Sequence, residues 1–172
     1  MIHSLINNLR KISLSRWYWW LLITGGTSAL AIALSYQHIL DEQPCVLCIH
    51  VRLWITLLVM VSVIGLLNRN KRLLNSMLHL AIVPIAAALT ERSYQLLGTE
   101  RGFVYGECNF DLGLPAWFPV QEWLPWAYRV ETSCGYTPKL LFNITMAEAL
   151  IVMSAGLLIA SLIIALASFR KG

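Results

Sequence analysis

Residues 43–67 read QPCVLCIHVRLWITLLVMVSVIGLL, and this stretch decides which kind of fold the chain adopts. From Ile49 to Leu67 the segment is apolar, and Arg52 is the one residue in it that carries a permanent charge. A helix that crosses a bilayer needs about 20 apolar residues, so residues 49–67 are predicted to span a membrane. The Cys-x-x-Cys pair formed by Cys45 and Cys48 then lies at the edge of that membrane.

Three further stretches have the same character, at about residues 17–40, 77–97 and 143–169. The chain has 172 residues, of which 58% are hydrophobic and only 13% are charged, whereas soluble proteins are about 25% charged. We therefore predict one all-α integral membrane domain over residues 1–172, folded as an antiparallel four-transmembrane-helix bundle. A long loop, at about residues 98–142, joins helices three and four.

Basic residues mark one side of the predicted bundle. They precede helix one, fill the short loop between helices two and three, and close the chain: Arg10, Lys11, Arg16, Arg69, Lys71, Arg72, Arg170 and Lys171. By the positive-inside rule, both termini and the short loop are predicted to be cytoplasmic. The net charge of +4 then follows from membrane topology and requires no nucleic-acid partner.

All four cysteines fall on the opposite, non-cytoplasmic side: Cys45, Cys48, Cys108 and Cys134. In an oxidising compartment this placement indicates disulfide chemistry. A bond between Cys45 and Cys48 closes a very short loop and stabilises little, which favours a redox role over a structural or metal-binding one. For Cys108 and Cys134, a structural bond and an exchangeable bond stay equally open. A zinc site is disfavoured, because only one pair is closely spaced and no histidine follows His79.

The start of helix two has the chemistry of a reactive thiol. Pro44 can open a helix, which puts Cys48 in the first turn, where unpaired N–H groups and the helix dipole favour a thiolate. Arg52 follows one turn later on the same face and can donate to a carbonyl or an anion. The alternative is that Arg52 only extends toward the interface. A lipid-soluble quinone suits such a place, because it enters from the bilayer and its oxygen can accept a hydrogen bond from Arg52.

Several features together resemble the DsbB family, the membrane thiol:quinone oxidoreductases of the bacterial inner membrane. QPCVLCIHVR fits the family's Pro-Cys-x-x-Cys-x-x-x-Arg run after helix one, and a second cysteine pair occupies the loop between helices three and four. Between that pair lies FDLGLPAWFPVQEWLPW, which is similar to the family's aromatic, proline-containing segment. The resemblance covers nearly the whole chain. It implies a multi-pass inner-membrane protein with four periplasmic cysteines.

The resemblance also implies a route for electrons. Cys108 would form the mixed disulfide with a DsbA-like periplasmic thioredoxin-fold protein, and Cys134 would communicate with Cys45. Cys45 and Cys48 would then be oxidised by ubiquinone or menaquinone, with Cys48 at the quinone ring and Arg52 helping to hold it. The outcome would be reoxidation of the partner and new disulfides, without a metal.

Arg92 and the aromatic segment give two further predictions. An arginine recurs in helix three of the family, so Arg92 is a candidate second polar group at the quinone. Its alternative is a contact with Glu91 or with the interface. The chain lacks the histidine that some family members carry near the end of helix three. The aromatic segment is predicted to form a short interfacial helix on the membrane, and a partner-docking surface is the alternative.

Other functions stay open at this point. One is a dedicated DsbI-like paralogue that serves a single specialised DsbA-like partner. A vitamin K epoxide reductase-like protein is disfavoured, because that family places its Cys-x-x-Cys after the loop pair. The candidate from a different class is a non-catalytic membrane protein whose disulfides are structural.

Overall fold

The structure is a computed structural model that describes residues 15–104, 111–115, 117–135, 137–140 and 143–169. Its helices are α1 (Arg16–Ile39), α2 (Val46–Asn68), α3 (Arg72–Arg101), α4 (Val120–Trp123), α5 (Pro125–Tyr128) and α6 (Met146–Phe169). The sequence predictions for Cys108 and for the basic residues at the two chain ends, Arg10, Lys11, Arg170 and Lys171, fall outside the described residues.

In the described part of the chain, four helices are long and apolar enough to cross a membrane, namely α1, α2, α3 and α6. The prediction of an all-α four-helix membrane bundle is therefore confirmed. Helix α2 packs against both α1 and α3, and α3 packs against α6. The short basic connection between α2 and α3 lies at one end of the bundle, and Cys45 lies at the other.

Helix α3 is longer than the apolar run that predicted it. It begins at Arg72, continues through Glu91 and Arg92, and reaches Arg101. Charged side chains near a helix end are tolerated because their stems lie along apolar surface while their heads extend to water. The helix stops at Gly102, whose φ of 75° is left-handed and whose N–H closes on the last turn.

The half of the bundle nearer the α2–α3 connection is packed around Trp19 of α1. This side chain is fully buried, and its ring packs directly on Gly65 of α2. Leu58 and Ile82 complete the surrounding core from α2 and α3. The absence of a side chain at Gly65 lets the backbone of α2 approach the ring, which brings α1 and α2 close together.

Part of the segment after α3 packs over the first turn of α2. Leu112, Val120 and Tyr128 are buried against Val46 and Ile49 in the first turn of that helix. This packing covers the apolar start of α2 and fixes the segment close to the Cys-x-x-Cys pair.

The aromatic segment contains two helices of four residues, α4 and α5, in place of the one short helix that the sequence predicted. The division falls at Leu124, whose φ of −135° and ψ of 63° are not helical. Its neighbour Pro125 disfavours a helical conformation at the preceding residue and opens the next turn instead. The side chains of Trp117, Trp123 and Trp126 are exposed. That they contact a membrane stays a prediction.

The stretch around Cys134 is attached to the bundle on both sides. The Pro44 carbonyl accepts hydrogen bonds from the N–H groups of Glu131 and Thr132. Farther along, the Thr137 hydroxyl donates to the Glu100 carboxylate at the end of α3. Cys134 lies between these two attachments, so its place relative to α2 is set by the fold.

Candidate functional site

The Cys-x-x-Cys pair is built by the start of α2. Cys45 is the N-cap residue, with extended backbone, and its sulfur accepts a hydrogen bond from the Cys48 N–H at 3.4 Å. The two Sγ atoms lie 2.9 Å apart and are in hydrogen-bonding contact. The predicted placement of Cys48 in the first turn is therefore observed, and the cap holds the two sulfurs together.

Cys45 is the more enclosed of the two cysteines. It is 1% exposed, whereas Cys48 is half-buried. A hydrogen bond with Cys134 lowers the pKa of the Cys45 thiol, but the hydrogen bond with Cys48, burial and repulsion from Cys48 outweigh it and raise the pKa to about 12. Cys45 is consequently a protonated thiol at neutral pH. Its contact with Cys134 connects the helix pair to the loop.

A cavity of about 130 Å³ lies beside the pair. It is enclosed by α1, α2 and α6 and is mostly apolar, and its polar lining residues are Tyr36, Glu42, Gln43, Cys48 and Arg52. Two lining residues, Ile32 of α1 and Met153 of α6, are 50% and 63% exposed. Both are apolar and lie on membrane-spanning helices, so the cavity reaches the lipid-facing surface between α1 and α6.

Arg52 is buried at the side of this cavity. Its Nη1 donates to Gln37 Oε1 at 2.5 Å and to the Ala127 carbonyl at 2.8 Å, and its Nη2 donates to the Ala33 carbonyl at 3.1 Å. Its Nε–H is buried without an acceptor in the described structure. The side chain therefore connects α1, α2 and the end of α5, and one of its N–H donors has no acceptor among the described residues.

Arg92 of α3 lies outside this cavity. It is not among the residues that line the cavity, and its Nη1 donates to Gln95 Oε1 at 3.0 Å. The Gln95 amide in turn donates to Glu91 at 3.1 Å. The suggested contact between Arg92 and Glu91 thus runs through Gln95. The proposed quinone contact of Arg92 has no support from the cavity and stays a prediction.

The structure brings together Cys45, Cys48, Cys134 and Arg52 among the residues that the sequence singled out. Sequence reasoning missed Gln37, which is buried in the last turn of α1 and hydrogen-bonded to Arg52. A polar residue in an apolar membrane helix is a signal that could have found it. Glu42 and Tyr36, which line the cavity, lie at the same end of α1 and carried no such signal.

Comparison with known proteins gives one consistent family. The family model described as "DsbB: Disulfide bond formation protein DsbB" matches residues 15–164. The chain is 30% identical to "Disulfide bond formation protein B" of Aliivibrio fischeri over 169 residues, which is 95% of this chain and 96% of the relative. It is 30% identical to the protein of the same name from Psychromonas ingrahamii over 149 residues, 84% of this chain and 78% of the relative. It is 28% identical to "Disulfide bond formation protein B 2" of Pseudomonas aeruginosa over 160 residues, 92% of each chain.

Proposed function

The chain belongs to the DsbB family of disulfide bond formation proteins, and on that premise we propose that it reoxidises a DsbA-like periplasmic dithiol protein and passes the electrons to membrane quinone. Family membership and the four apolar helices make it a transmembrane oxidoreductase of disulfide bond formation. The partner, the acceptor and the roles of individual residues are the content of the proposal.

One observation carries it: the Cys45–Cys48 pair lies between the loop cysteine and the cavity. Cys45 contacts Cys134 on one side, and Cys48 lines the cavity together with Arg52 on the other. Disulfide exchange needs sulfurs in contact, and a lipid-soluble acceptor needs a site that reaches the bilayer. The arrangement supports both requirements at one place.

Each exchange in the proposed route reduces one disulfide as it forms another. The partner dithiol becomes a disulfide as a Cys108–Cys134 disulfide is reduced, and that bond re-forms as a Cys45–Cys48 disulfide is reduced. Oxidation of Cys45 and Cys48 back to the disulfide releases two electrons and two protons. Cys108 is proposed as the sulfur that forms the mixed disulfide with the partner.

The cavity fits a quinone by its chemistry. Ubiquinone or menaquinone would supply an acceptor for two electrons and two protons. The apolar lining suits a ring that enters from lipid, and the unused Nε–H of Arg52 suits a carbonyl oxygen. Cys48 would face the ring, while Cys45, which stays protonated, would hold the second thiol proton until the pair is oxidised.

The proposal includes the location of the protein in the inner membrane and the orientation of its termini and cysteines. Cys45 and Cys134 lie at the end of the bundle opposite Arg69 and Lys71, which supports an inner-membrane protein with cytoplasmic termini and periplasmic cysteines. Labelling of reduced cysteines in intact spheroplasts by a membrane-impermeant maleimide tests this orientation. Labelling that requires lysis would place the cysteines on the other side.

The deciding experiment is quinone reduction by the purified protein. The protein is mixed with a reduced DsbA-type partner and ubiquinone or menaquinone, and quinone absorbance is followed. We expect turnover in the natural protein, none in Cys48→Ser, and an apparent quinone KM raised about tenfold in Arg52→Ala, because a hydrogen bond from a charged donor is worth roughly 1.5–3 kcal/mol. Arg16→Ala, at the far end of α1, is the matched control and should leave the KM unchanged. Arg92→Ala in the same assay tests the proposed second quinone contact.

The other outcomes separate the remaining functions. Turnover with only one specialised partner would favour the dedicated paralogue. Absence of turnover with several partners and both quinones, in protein shown to be folded, would support structural disulfides instead. Thiol trapping adds an independent measure, because structural bonds stay oxidised when quinone is withheld and redox pairs become reduced.

A further inference from the structure

The hydrogen bonds of Arg52 share one property: every acceptor is neutral. They are the Gln37 side-chain oxygen and the backbone carbonyls of Ala33 and Ala127. A buried arginine usually has a carboxylate partner, because a lone charge in a low-dielectric interior is costly. Among the described residues, none of the Arg52 bonds goes to a carboxylate, so its charge is solvated by dipoles and is not neutralised.

Gln37 is the only side chain in this set, and its orientation is fixed by chemistry. The arginine fork can only donate, so the amide oxygen must face Nη1 at 2.5 Å. Gln37 is 7% exposed and sits in the last turn of α1, one helical turn beyond Ala33. The two residues therefore hold the guanidinium from the same face of α1.

These hydrogen bonds leave some N–H donors of Arg52 unused. Both N–H groups of Nη1 have acceptors, one N–H of Nη2 has an acceptor, and Nε–H has none. Arg52 lines the cavity, so its uncompensated charge acts on that cavity, and its unused donors are the groups that a bound ligand would engage. A ligand whose oxygen gains negative charge during reduction would be stabilised by such a donor.

We propose that Gln37 is a positioning residue for quinone reduction: it orients the Arg52 guanidinium at the cavity, and its neutrality leaves the arginine charge free to act on the quinone oxygen and the Cys48 sulfur. The inference rests on the proposed function for its role in catalysis. The effect on charge in the cavity is independent of quinone and is measured separately below.

Gln37→Glu is the most specific test, because glutamate keeps the shape of the side chain and its acceptor oxygen but adds a negative charge in contact with Nη1 of Arg52. The other titratable groups within electrostatic reach of Arg52 are Cys48, Cys45, Tyr128 and Glu131, and Glu42 lies on the cavity wall. All of these are unchanged by the substitution. Gln43→Glu is the matched control, since Gln43 also lines the cavity but makes no hydrogen bond to Arg52.

The first measurement needs no quinone. In protein that keeps Cys48 alone, with Cys45→Ser, Cys108→Ser and Cys134→Ser, the rates of modification by anionic and cationic methanethiosulfonate reagents are compared. We expect Gln37→Glu to lower the anionic-to-cationic ratio about tenfold, because an ion pair with Arg52 removes the positive charge near the sulfur. Gln43→Glu should lower the ratio clearly less. An equal effect of the two variants, or no effect of Gln37→Glu, would overturn the inference.

The second measurement is the quinone KM and kcat in otherwise natural protein. Gln37→Glu and Gln37→Leu should both raise the KM for quinone about tenfold and leave the rate of exchange with the reduced partner unchanged. In an Arg52→Met background, Gln37→Leu should cause no further change, since Gln37 acts through the arginine. Additive effects, or equal losses in partner exchange, would reduce Gln37 to a structural role. If the natural protein reduces no quinone, the proposed function fails, while the reagent ratio still decides the effect of Gln37 on charge.

Discussion

Cys45 and Cys48 are close in sequence, yet the fold gives their two sulfurs different surroundings. Cys45 is enclosed under the loop and contacts Cys134, and Cys48 lines the cavity. The N-cap position of Cys45 causes this asymmetry, because it turns the first sulfur back over the helix end while the second lies along the helix side. A Cys-x-x-Cys pair placed across a helix end can therefore serve two sites at once.

The asymmetry predicts the order of alkylation. In reduced protein at pH 7 with limiting iodoacetamide, Cys48 should be modified well before Cys45. Cys45 is buried, and with a pKa raised to about 12 it has almost no thiolate at that pH. Its thiolate fraction should grow as pH rises toward the raised pKa, so its modification should accelerate with pH. Peptide mass spectrometry measures both sites, and unfolded protein, in which the two cysteines should react alike, is the control. Modification of Cys45 first would contradict the assigned geometry.

At the scale of the helices, two glycines on membrane-spanning helices have different structural roles. A Cβ on Gly65 of α2 would lie 2.4 Å from the nearest atoms of the Trp19 ring, whereas a Cβ on Gly25 of α1 would meet nothing within 4 Å. Movement of the Trp19 ring is costly, because the ring is fully buried and also stacks on His79 at 4.8 Å between centroids. Gly65 therefore contributes to the close approach of α1 and α2, as does Gly26 of α1, where a Cβ would lie 2.5 Å from Val59 Cγ2.

This difference predicts a matched pair of stability effects. Gly65→Ala should destabilise the protein by about 1–3 kcal/mol, because overpacking forces the ring or the helix to shift. Gly25→Ala should leave stability unchanged or raise it by up to about 1 kcal/mol, since alanine is the better helix former. Thermal unfolding in detergent measures both variants. Equal melting temperatures for Gly65→Ala and the natural protein would show that the helices do not pack as described.

The helices and the redox pair could be predicted because their signals are local. Apolar length marks the spans, and the spacing of Cys45, Cys48 and Arg52 puts them on one helix end. The partners of Arg52 could not be predicted, since they lie 15, 19 and 75 residues away along the chain. The face on which Arg92 lies depends on how α3 packs, which the residues around it do not determine. Position along a helix is a property of sequence, whereas the neighbours of a side chain in the bundle belong to the tertiary fold.

At the scale of the whole molecule, one part of the long loop is attached to the helix end that carries the Cys-x-x-Cys pair. Glu131 and Thr132 are hydrogen-bonded to Pro44, and Thr132 forms a parallel bridge with Cys45 itself. Cys134 follows two residues later and packs with Cys45 in the same cluster. The contact between loop and pair is thus a feature of the resting fold and does not need a large excursion of Cys134.

This arrangement predicts which sulfurs join when the choice is restricted. Protein with Cys48→Ser and Cys108→Ser keeps Cys45 and Cys134, which should form an internal disulfide rapidly under mild oxidation because the two side chains are already in contact. Protein with Cys45→Ser and Cys108→Ser keeps Cys48 and Cys134 and should oxidise several-fold more slowly. The attachment at Pro44 holds Cys134 in hydrogen-bonding contact with Cys45, whereas Cys48 lines the cavity and is only within electrostatic reach of Cys134. Gel shifts after capping with a polyethylene-glycol maleimide follow both reactions. Equal rates would mean that the attachment at Pro44 does not hold Cys134, and a faster Cys48–Cys134 reaction would reverse the proposed order, in which electrons enter the pair at Cys45 and leave it at Cys48.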